Sequence, residues 1–245
     1  PACYFVRFFA NHGLLNIRER PQWRVIKGGS REYVKRLVAP FRDRIRLNQA
    51  VVSVKRLPTH VEVTSAGGVT ECFDQLFIAT HSNQALDLLA DPSEQEQSIL
   101  GAIPYQKNDV VLHTDISLLP KQPRTWAAWN YLRRKDDSQR VSVTYNMNML
   151  QGIQDADTFC VTLNDTNNID PEKIIRHMQY DHPVYTVAGI AAQQRHREIN
   201  GQRRTWYCGA YWRSGFHEDG VVSALNALQD FREYNDAQSP LRRAG

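Results

Sequence analysis

Cysteine is scarce and unpatterned: positions 3, 72, 160 and 208 form no C-x-x-C pair, and no two histidines stand at ligand spacing. No metal site is therefore expected, and a disulfide framework is excluded. Cys72, Cys160 and Cys208 fall in apolar, strand-like runs, which fits buried free thiols in a reducing compartment. No apolar run approaches the ~20 residues that cross a bilayer, and no stretch has the pattern of a signal peptide. A cytoplasmic protein without a transmembrane segment is the expectation. Three signatures are also missing: G-x-x-x-x-G-K-[ST], G-x-S-x-G and G-x-G-x-x-G. The first two absences argue against a nucleotide hydrolase and a serine hydrolase. The net charge of +4 is spread thinly, in clusters no longer than Arg133-Arg-Lys135 and Arg203-Arg204. Nucleic acid is not an expected partner, because no basic stripe or reader motif accompanies the charge.

What remains is an ordinary globular composition, 42% hydrophobic and 23% charged over 245 residues, enough for one large or two modest domains. The opening Pro1-Ala-Cys-Tyr-Phe-Val-Arg-Phe-Phe lacks an initiator Met and reads as mid-domain sequence. The chain is thus expected to be a piece of a longer protein. An aromatic helix running to about Gly13 comes first. A short strand from Trp23, a Gly28-Gly29 turn and a helix follow, the helix capped by Ser30 and burying Tyr33, Val34, Leu37 and Val38. Alternating strands are predicted at Val51–Lys55, His60–Thr64 and Val69–Phe73. Gln75–Ala79 reads as a strand buried on both faces, ending at Thr80-His-Ser-Asn83, where a helix starts. Ser93-Glu-Gln-Glu96 is a capping box.

From Tyr105 the strands lengthen and carry Trp, Tyr, Asn and Met: Val110–Thr114, Trp126–Leu132, Val141–Met147 and Phe159–Leu163. A sheet of this composition suits a pocket wall, with Trp129, Asn130, Tyr145 and Asn146 as candidate lining residues, although any one of them could equally be core. Asp170-Pro171 is expected to cap a helix carrying Ile174, Ile175 and Met178, and the tail from Ala237 to Gly245 to fray.

The stretch that organises the chain is Thr205–Phe231: a buried strand to Cys208, a glycine-broken loop, then a helix N-capped by Asp219. Val221, Ala224, Leu225, Leu228 and Phe231 recur at helical spacing and should be its buried face. Gly209, Gly215 and Gly220 would let backbone N–H groups meet an electron-rich ligand at the positive helix end. A plain structural turn is the equal alternative on this geometry alone.

Three segments in order resemble the flavin-containing amine oxidase and phytoene desaturase superfamily. They are Val25-Ile-Lys-Gly-Gly-Ser30 with Ile45–Val54, then Phe73–Thr80, then Tyr207-Cys-Gly-Ala through Ser214–Val221. Within it, the chain looks most like bacterial predicted flavin-binding proteins associated with cyclopropane-fatty-acid synthases. The resemblance implies an α+β chain cut from an α/β parent. Residues 23–104 and 201–236 would be the remainder of an FAD/NAD(P)-binding domain; 1–22 and 105–200 would form a substrate domain with a mixed, mostly antiparallel sheet. It implies FAD as cofactor, an N-terminal βαβ segment of the same protein as partner, and hydride transfer from an amine or lipid-like carbon to flavin.

By the same resemblance Gly28, Gly29, Val51, Thr80, Gly209, Ala210, Gly215, Asp219, Gly220 and Val221 would bind the cofactor. Phe216 would flank the flavin ring and His217 would stand near it, the pair taken as the catalytic candidates. Three departures stand out. The dinucleotide-binding G-x-G-x-x-G is missing, Ala210 and Tyr211 replace an acidic residue, and Asn108 or Asp109 falls where amine-oxidising members place Lys, with Lys107 offset. The alternative reading is a cofactor-free substrate-binding or interaction domain with no activity alone.

Overall fold

A computed structural model of the chain describes residues 1–16, 18, 22, 24–133 and 142–238. Helices α1 (Ala2–Asn11) and α2 (Arg31–Val38) come first, then strands β1 (Val51–Arg56), β2 (Val61–Ser65), β3 (Thr70–Phe73) and β4 (Leu76–Ile78). Helices α3 (Ser82–Leu88) and α4 (Glu94–Leu100) lead to β5 (Tyr105–His113), β6 (Trp129–Leu132) and β7 (Ser142–Asn146). Next come α5 (Met147–Gln151), β8 (Cys160–Leu163), β9 (Ile174–Pro183), α6 (Val187–Gln193) and α7 (His196–Ile199). Strand β10 (Thr205–Tyr207) and the 22-residue helix α8 (His217–Gln238) close the described chain. The described residues divide into two compact units, one within 1–21, 43–105 and 183–245, the other within 22–42 and 106–182. The architecture is mixed α+β with mostly antiparallel pairing. Residues 1–16 and 183–200 group with the first unit and 24–42 with the second.

In the first unit, alternation does what a half-buried sheet requires. Val54 and Val61 point inward at 1% and 0% exposure while Lys55 and Glu62 face out, and β1–β2–β3 pair antiparallel. Strand β4 pairs in parallel with β10, Ile78 opposite Tyr207. Ile78, Leu89, Ile99, Leu100, Ile199 and Tyr207 join Val54 and Val61 in one apolar core. Each such side chain contributes about 1.5–3 kcal/mol relative to exposure.

One charged cluster lies inside this core. The predicted capping box of α4 forms: Glu96 N–H donates to Ser93 Oγ at 3.2 Å and Ser93 N–H to Glu96 Oε2 at 2.8 Å. The same carboxylate receives both terminal nitrogens of Arg56, at 2.6 and 2.9 Å, and the Tyr207 hydroxyl at 2.5 Å. Arg56 also reaches Asp91, and Arg203 grips Asp91 from another side. Burial opposes the Glu96 charge, but the hydrogen bonds from Arg56, Ser93 and Tyr207 outweigh it and hold the carboxyl at about 2. Arg203 and Arg204 both adopt positive φ, and Arg204 donates to the carbonyls of Pro58 and Asp74. This pair is therefore a clamp rather than a solvated charge cluster.

In the second unit the sheet order is β6-β7-β8-β5-β9. Its apolar core is small: Val111, Leu118 and Ile169, with Ile174 against them. Much of the interior is polar. Asp115 N–H donates to His113 Nδ1 at 3.1 Å, so the proton sits on Nε2, which donates to Thr162 Oγ1 at 2.7 Å. Thr162 meets Thr144 at 2.8 Å. Burial, against the pull of Asp115, depresses the His113 pKa, which keeps the ring neutral.

Several expectations fail for identifiable reasons. Ser30 has helical φ/ψ and makes no capping bond, and Val34 and Leu37 on α2 are exposed at 45% and 63%. Residues 24–26 form no strand, and Trp23 lies outside the described residues. Strand β4 has β10 as its hydrogen-bonded partner and Phe77 is partly exposed, so β4 is not buried on both faces. Asp170 caps a single 3-10 turn, and Ile174, Ile175 and Met178 then lie on β9, where strand pairing overrides the helical spacing. Cys160 and Cys208 are buried but Cys72 is exposed. The start of the strand predicted at Val141, residues 134–135 of the basic cluster and residues 239–245 of the tail lie outside the described residues. Among the described residues no helix is long and apolar enough to cross a membrane.

Candidate cofactor site

The parallel pair β4–β10 sets the geometry. Both strands end at the same edge, and the ladder continues one step past β10, with Cys208 N–H donating to Ile78 O at 3.0 Å. Thr80 follows β4 and Gly209-Ala210 follow β10, so these three candidates emerge side by side at the carboxyl ends of parallel strands. That is the position at which open α/β sheets take ligands. Gly209 N–H donates to Ser223 Oγ at 2.8 Å, which itself donates to Gly220 O at 2.9 Å. This chain ties the strand end to the first turns of α8, and Gly220 faces Ala210 across the junction.

The loop between them is closely built. A Cβ on Gly209 would sit 2.4 Å from the Tyr211 ring, so glycine is required there by the chain's own packing. Gly215 has φ of +89° and faces the Tyr185 hydroxyl, 2.9 Å from where a Cβ would stand. Gln193 donates to the carbonyls of Tyr211 and Arg213 at 2.7 and 2.8 Å. Phe216, 42% exposed, packs against Phe8 and His12 at 5.9 and 4.9 Å between ring centroids. A cavity of about 250 Å³ opens beside this loop, lined by Tyr4, Arg7, Asn11, Trp212, Arg213 and Asp219 among others.

Asp219 differs from its expected role. Helix α8 begins at His217, so Asp219 is its third residue; the carboxylate turns back to accept from Phe216 N–H at 3.0 Å and Ser214 N–H at 3.2 Å. Arg213 lies 3.4 Å from it. The helix start is thus capped and charge-balanced from within. His217 is exposed at the first position of α8. The apolar stripe of α8 is not its buried face: Val221 and Leu225 are 51% and 60% exposed, while Ser223 and Ala227 are buried. Small residues face inward because strand and loop backbone press close to the helix there.

Val51 opens β1, exposed, beside a bulge between Val51 and Ser53. The other candidates belong to the second unit. Gly28 and Gly29 form a turn in which both have positive φ, +85° and +87°. Trp129 and Tyr145 are cross-strand partners, Trp129 exposed and Tyr145 half-buried. Asn130 is spent on Ala127 and on the Thr144 carbonyl, and buried Asn146 caps α5 by accepting from Met149 N–H. Asn108, at the position set against Lys, is buried and bonded to Gln106 O, His182 and Asn164.

Sequence reasoning passed over the residues just after Thr80. Asn83 Oδ1, in the first turn of α3, is shut from solvent with no hydrogen-bond partner among the described residues. His81 stacks on Tyr105 at 4.6 Å, and the Tyr105 hydroxyl accepts from Ser82 N–H at 3.2 Å. The signal was present, since five polar residues, Thr80 to Gln84, follow an apolar strand without a break.

Its fold is similar to that of an amine oxidase and of a fatty acid isomerase. Cyclohexylamine oxidase from Brevibacterium oxydans IH-35A superposes with a TM-score of 0.60 at 14% identity, over 95% of this chain and 60% of that one. The CLA-producing fatty acid isomerase from P. acnes gives 0.61 at 16% identity, over 83% of this chain and 52% of that one. A reduced UDP-galactopyranose mutase gives 0.53 at 12% identity, over 75% and 46%. The chain therefore spans about half to three fifths of the length of these enzymes, and at such identities the likeness is one of fold. No family model matches the sequence, and no curated protein matches it.

Proposed function

We propose that the chain is part of an FAD-dependent oxidoreductase of the amine-oxidase type, in which the carboxyl ends of β4 and β10 hold the cofactor. The observation that carries this reading is the convergence of Thr80, Gly209, Ala210 and the start of α8 at one parallel strand edge, in a fold shared with cyclohexylamine oxidase. The residues fit a nucleotide-like group. The orphan Asn83 oxygen can accept from a ribose hydroxyl or an amide N–H, and the cavity beside the loop offers Arg7 to an anion. The internally capped start of α8 fits a neutral ring edge better than a phosphate, because the Asp219 carboxylate already stands there.

In this reading FAD, when bound, supplies a hydride acceptor. Thr80, Asn83, Gly209 and Ala210 bind it. Phe216, backed by Phe8 and His12, offers an aromatic face, and His217 places an imidazole at the exposed head of α8. Asn108, which stands where amine-oxidising members place Lys, carries no amine and has both ends of its amide engaged. The substrate class is an amine or a lipid-like carbon that gives up hydride.

The test is the visible spectrum of the purified chain, and of the full gene product, before and after addition of FAD. Flavin bands that survive desalting support the reading, and Asn83→Ala should then weaken FAD binding about 10-fold. Flavin in neither protein would overturn it and leave the alternative of a cofactor-free binding domain. Anaerobic bleaching by primary amines against unsaturated fatty acids then separates the substrate classes.

A further inference from the structure

We propose that His60, Glu62 and Cys72 form a site for a divalent cation of zinc's class on the outer face of the β1–β2–β3 sheet. Their ligand atoms, an imidazole nitrogen, a carboxylate oxygen and a thiol sulfur, all lie within 4.8 Å of one another. No sequence motif marks the site, because the third donor arrives only through strand pairing.

The placement follows from the hairpin. Leu57 N–H donates to His60 O at 2.9 Å, closing the turn that sets His60 immediately before β2. Alternation then puts His60 and Glu62 on one face while Val61 between them is fully buried on the other. Antiparallel register places Cys72 of β3 directly opposite Glu62, a pairing in which side chains of one face meet. His60 Nε2 already approaches Glu62 Oε1 at 3.8 Å. The other ring nitrogen, Nδ1, is 2.9 Å from Thr59 Oγ1, a hydrogen bond that orients the ring and leaves Nε2 turned to the cluster.

Zinc bonds of about 2.0–2.3 Å place neighbouring donors of a tetrahedral ion about 3.3–3.8 Å apart. Rotation of half-exposed Glu62 and exposed Cys72 closes that gap without moving the backbone. A thiolate with an imidazole selects zinc-like ions over magnesium or calcium. On binding, the Cys72 S–H proton passes to solvent and the thiolate becomes the ligand. Three protein donors leave a fourth position for water. Lys55 lies opposite Glu62 on β1; Glu71, on the other face of β3, is paired with Arg46. The bound ion would fasten β3 to β2 and is independent of the flavin reading.

The chelator-treated chain is titrated with Co²⁺ as an optical stand-in for zinc. One equivalent should give thiolate-to-cobalt charge transfer in the near ultraviolet and the visible bands of four-coordinate cobalt, both erased by added Zn²⁺. Cys72→Ser should abolish the charge-transfer band and Cys3→Ser should leave it, while His60→Ala and Glu62→Gln each weaken binding at least 10-fold. Circular dichroism of each variant confirms the fold. In the unaltered chain, saturating Zn²⁺ should protect Cys72 from alkylation at least 10-fold. Absence of the band, its persistence in Cys72→Ser, or a Cys72 that alkylates equally fast with zinc would overturn the site and mean an adventitious ion only.

Discussion

The two units have opposite interiors. The first is an apolar core with one charged cluster sunk into it: Arg56, Glu96 and Tyr207 amid Val54, Ile78, Ile99 and Leu100. The second has few buried apolar side chains and buried hydroxyl, imidazole and amide groups instead: His113, Thr162 and Thr144 in one ladder, and Asn108, which bonds to half-buried Asn164. Hydrophobic burial is non-directional and forgives substitution of like size. A polar interior is directional, and each missing partner leaves a desolvated group behind. Damage to the first unit should therefore be severe at its charged cluster, and damage to the second should be moderate wherever the ladder is cut.

Arg56→Met tests the first half of that contrast and should have the largest effect. It leaves the buried Glu96 carboxylate without its cation, at a cost of about 3–5 kcal/mol. Hydrogen exchange should show lost protection in β1, α4 and β10, with β7 and β8 retaining theirs; equal loss in both units would break the comparison. The double variant Arg56→Met/Glu96→Leu should recover most of the stability.

Acid is the next largest perturbation. Glu96 titrates at about 2 in the folded chain against an ordinary 4.5, so its contribution is full above pH 4.5 and lost as pH falls toward 2. Across that window thermal melts should lose on the order of 2–3 kcal/mol. His113 and His196 are held below their ordinary 6.5, mainly by burial, so they bind protons less readily than the unfolded chain and stability also declines as pH drops below 6.5. His113→Gln should flatten this upper step while leaving the lower one; an unchanged upper step would mean that the ring is not buried neutral.

Thr162→Val severs the second unit's ladder, leaving His113 Nε2–H and the Thr144 hydroxyl short of a partner. A loss of about 1–3 kcal/mol is expected, seen as faster exchange in β7 and β8. A loss below about 0.5 kcal/mol would show that the ladder is dispensable and the two interiors less different than they look. The smallest effect belongs to Leu225→Ala. That side chain is 60% exposed, so the change should stay within about 0.5 kcal/mol in urea melts. A loss of about 2 kcal/mol would show that something covers this face of α8.

Legibility in the sequence differed between the units in the same way. Alternation at Val51–Val54 and Val61–Val63, the capping box at Ser93 and the glycine-broken loop before α8 were readable because each is a local preference of a few residues. The strands of the second unit were visible too, but not what fills its interior. Asn130 and Asn146 are candidate lining residues, and nothing in a sequence shows that their amides also bond to nearby backbone. Asp219 was placed at the right helix end but two residues inside its start. The spacing of Ile174, Ile175 and Met178 fitted a helix until pairing in the sheet drew them into β9.

The sequence alone determined the order of most elements, the hairpin sheet, the strand–loop–helix at the C-terminal end and the residue types gathered there, because propensity, capping and periodicity act over a few residues. Only the tertiary structure decided which faces are buried. The stripe of α8 stayed out because Ser223 and Ala227 let the β10 loop approach the helix more closely than leucine would. Register and long-range pairing also set Arg56 beside Glu96 across 40 residues, Thr80 beside Gly209, and Cys72 opposite Glu62. Contacts between residues far apart in the chain are fixed by packing against everything else at once, and no local pattern encodes them.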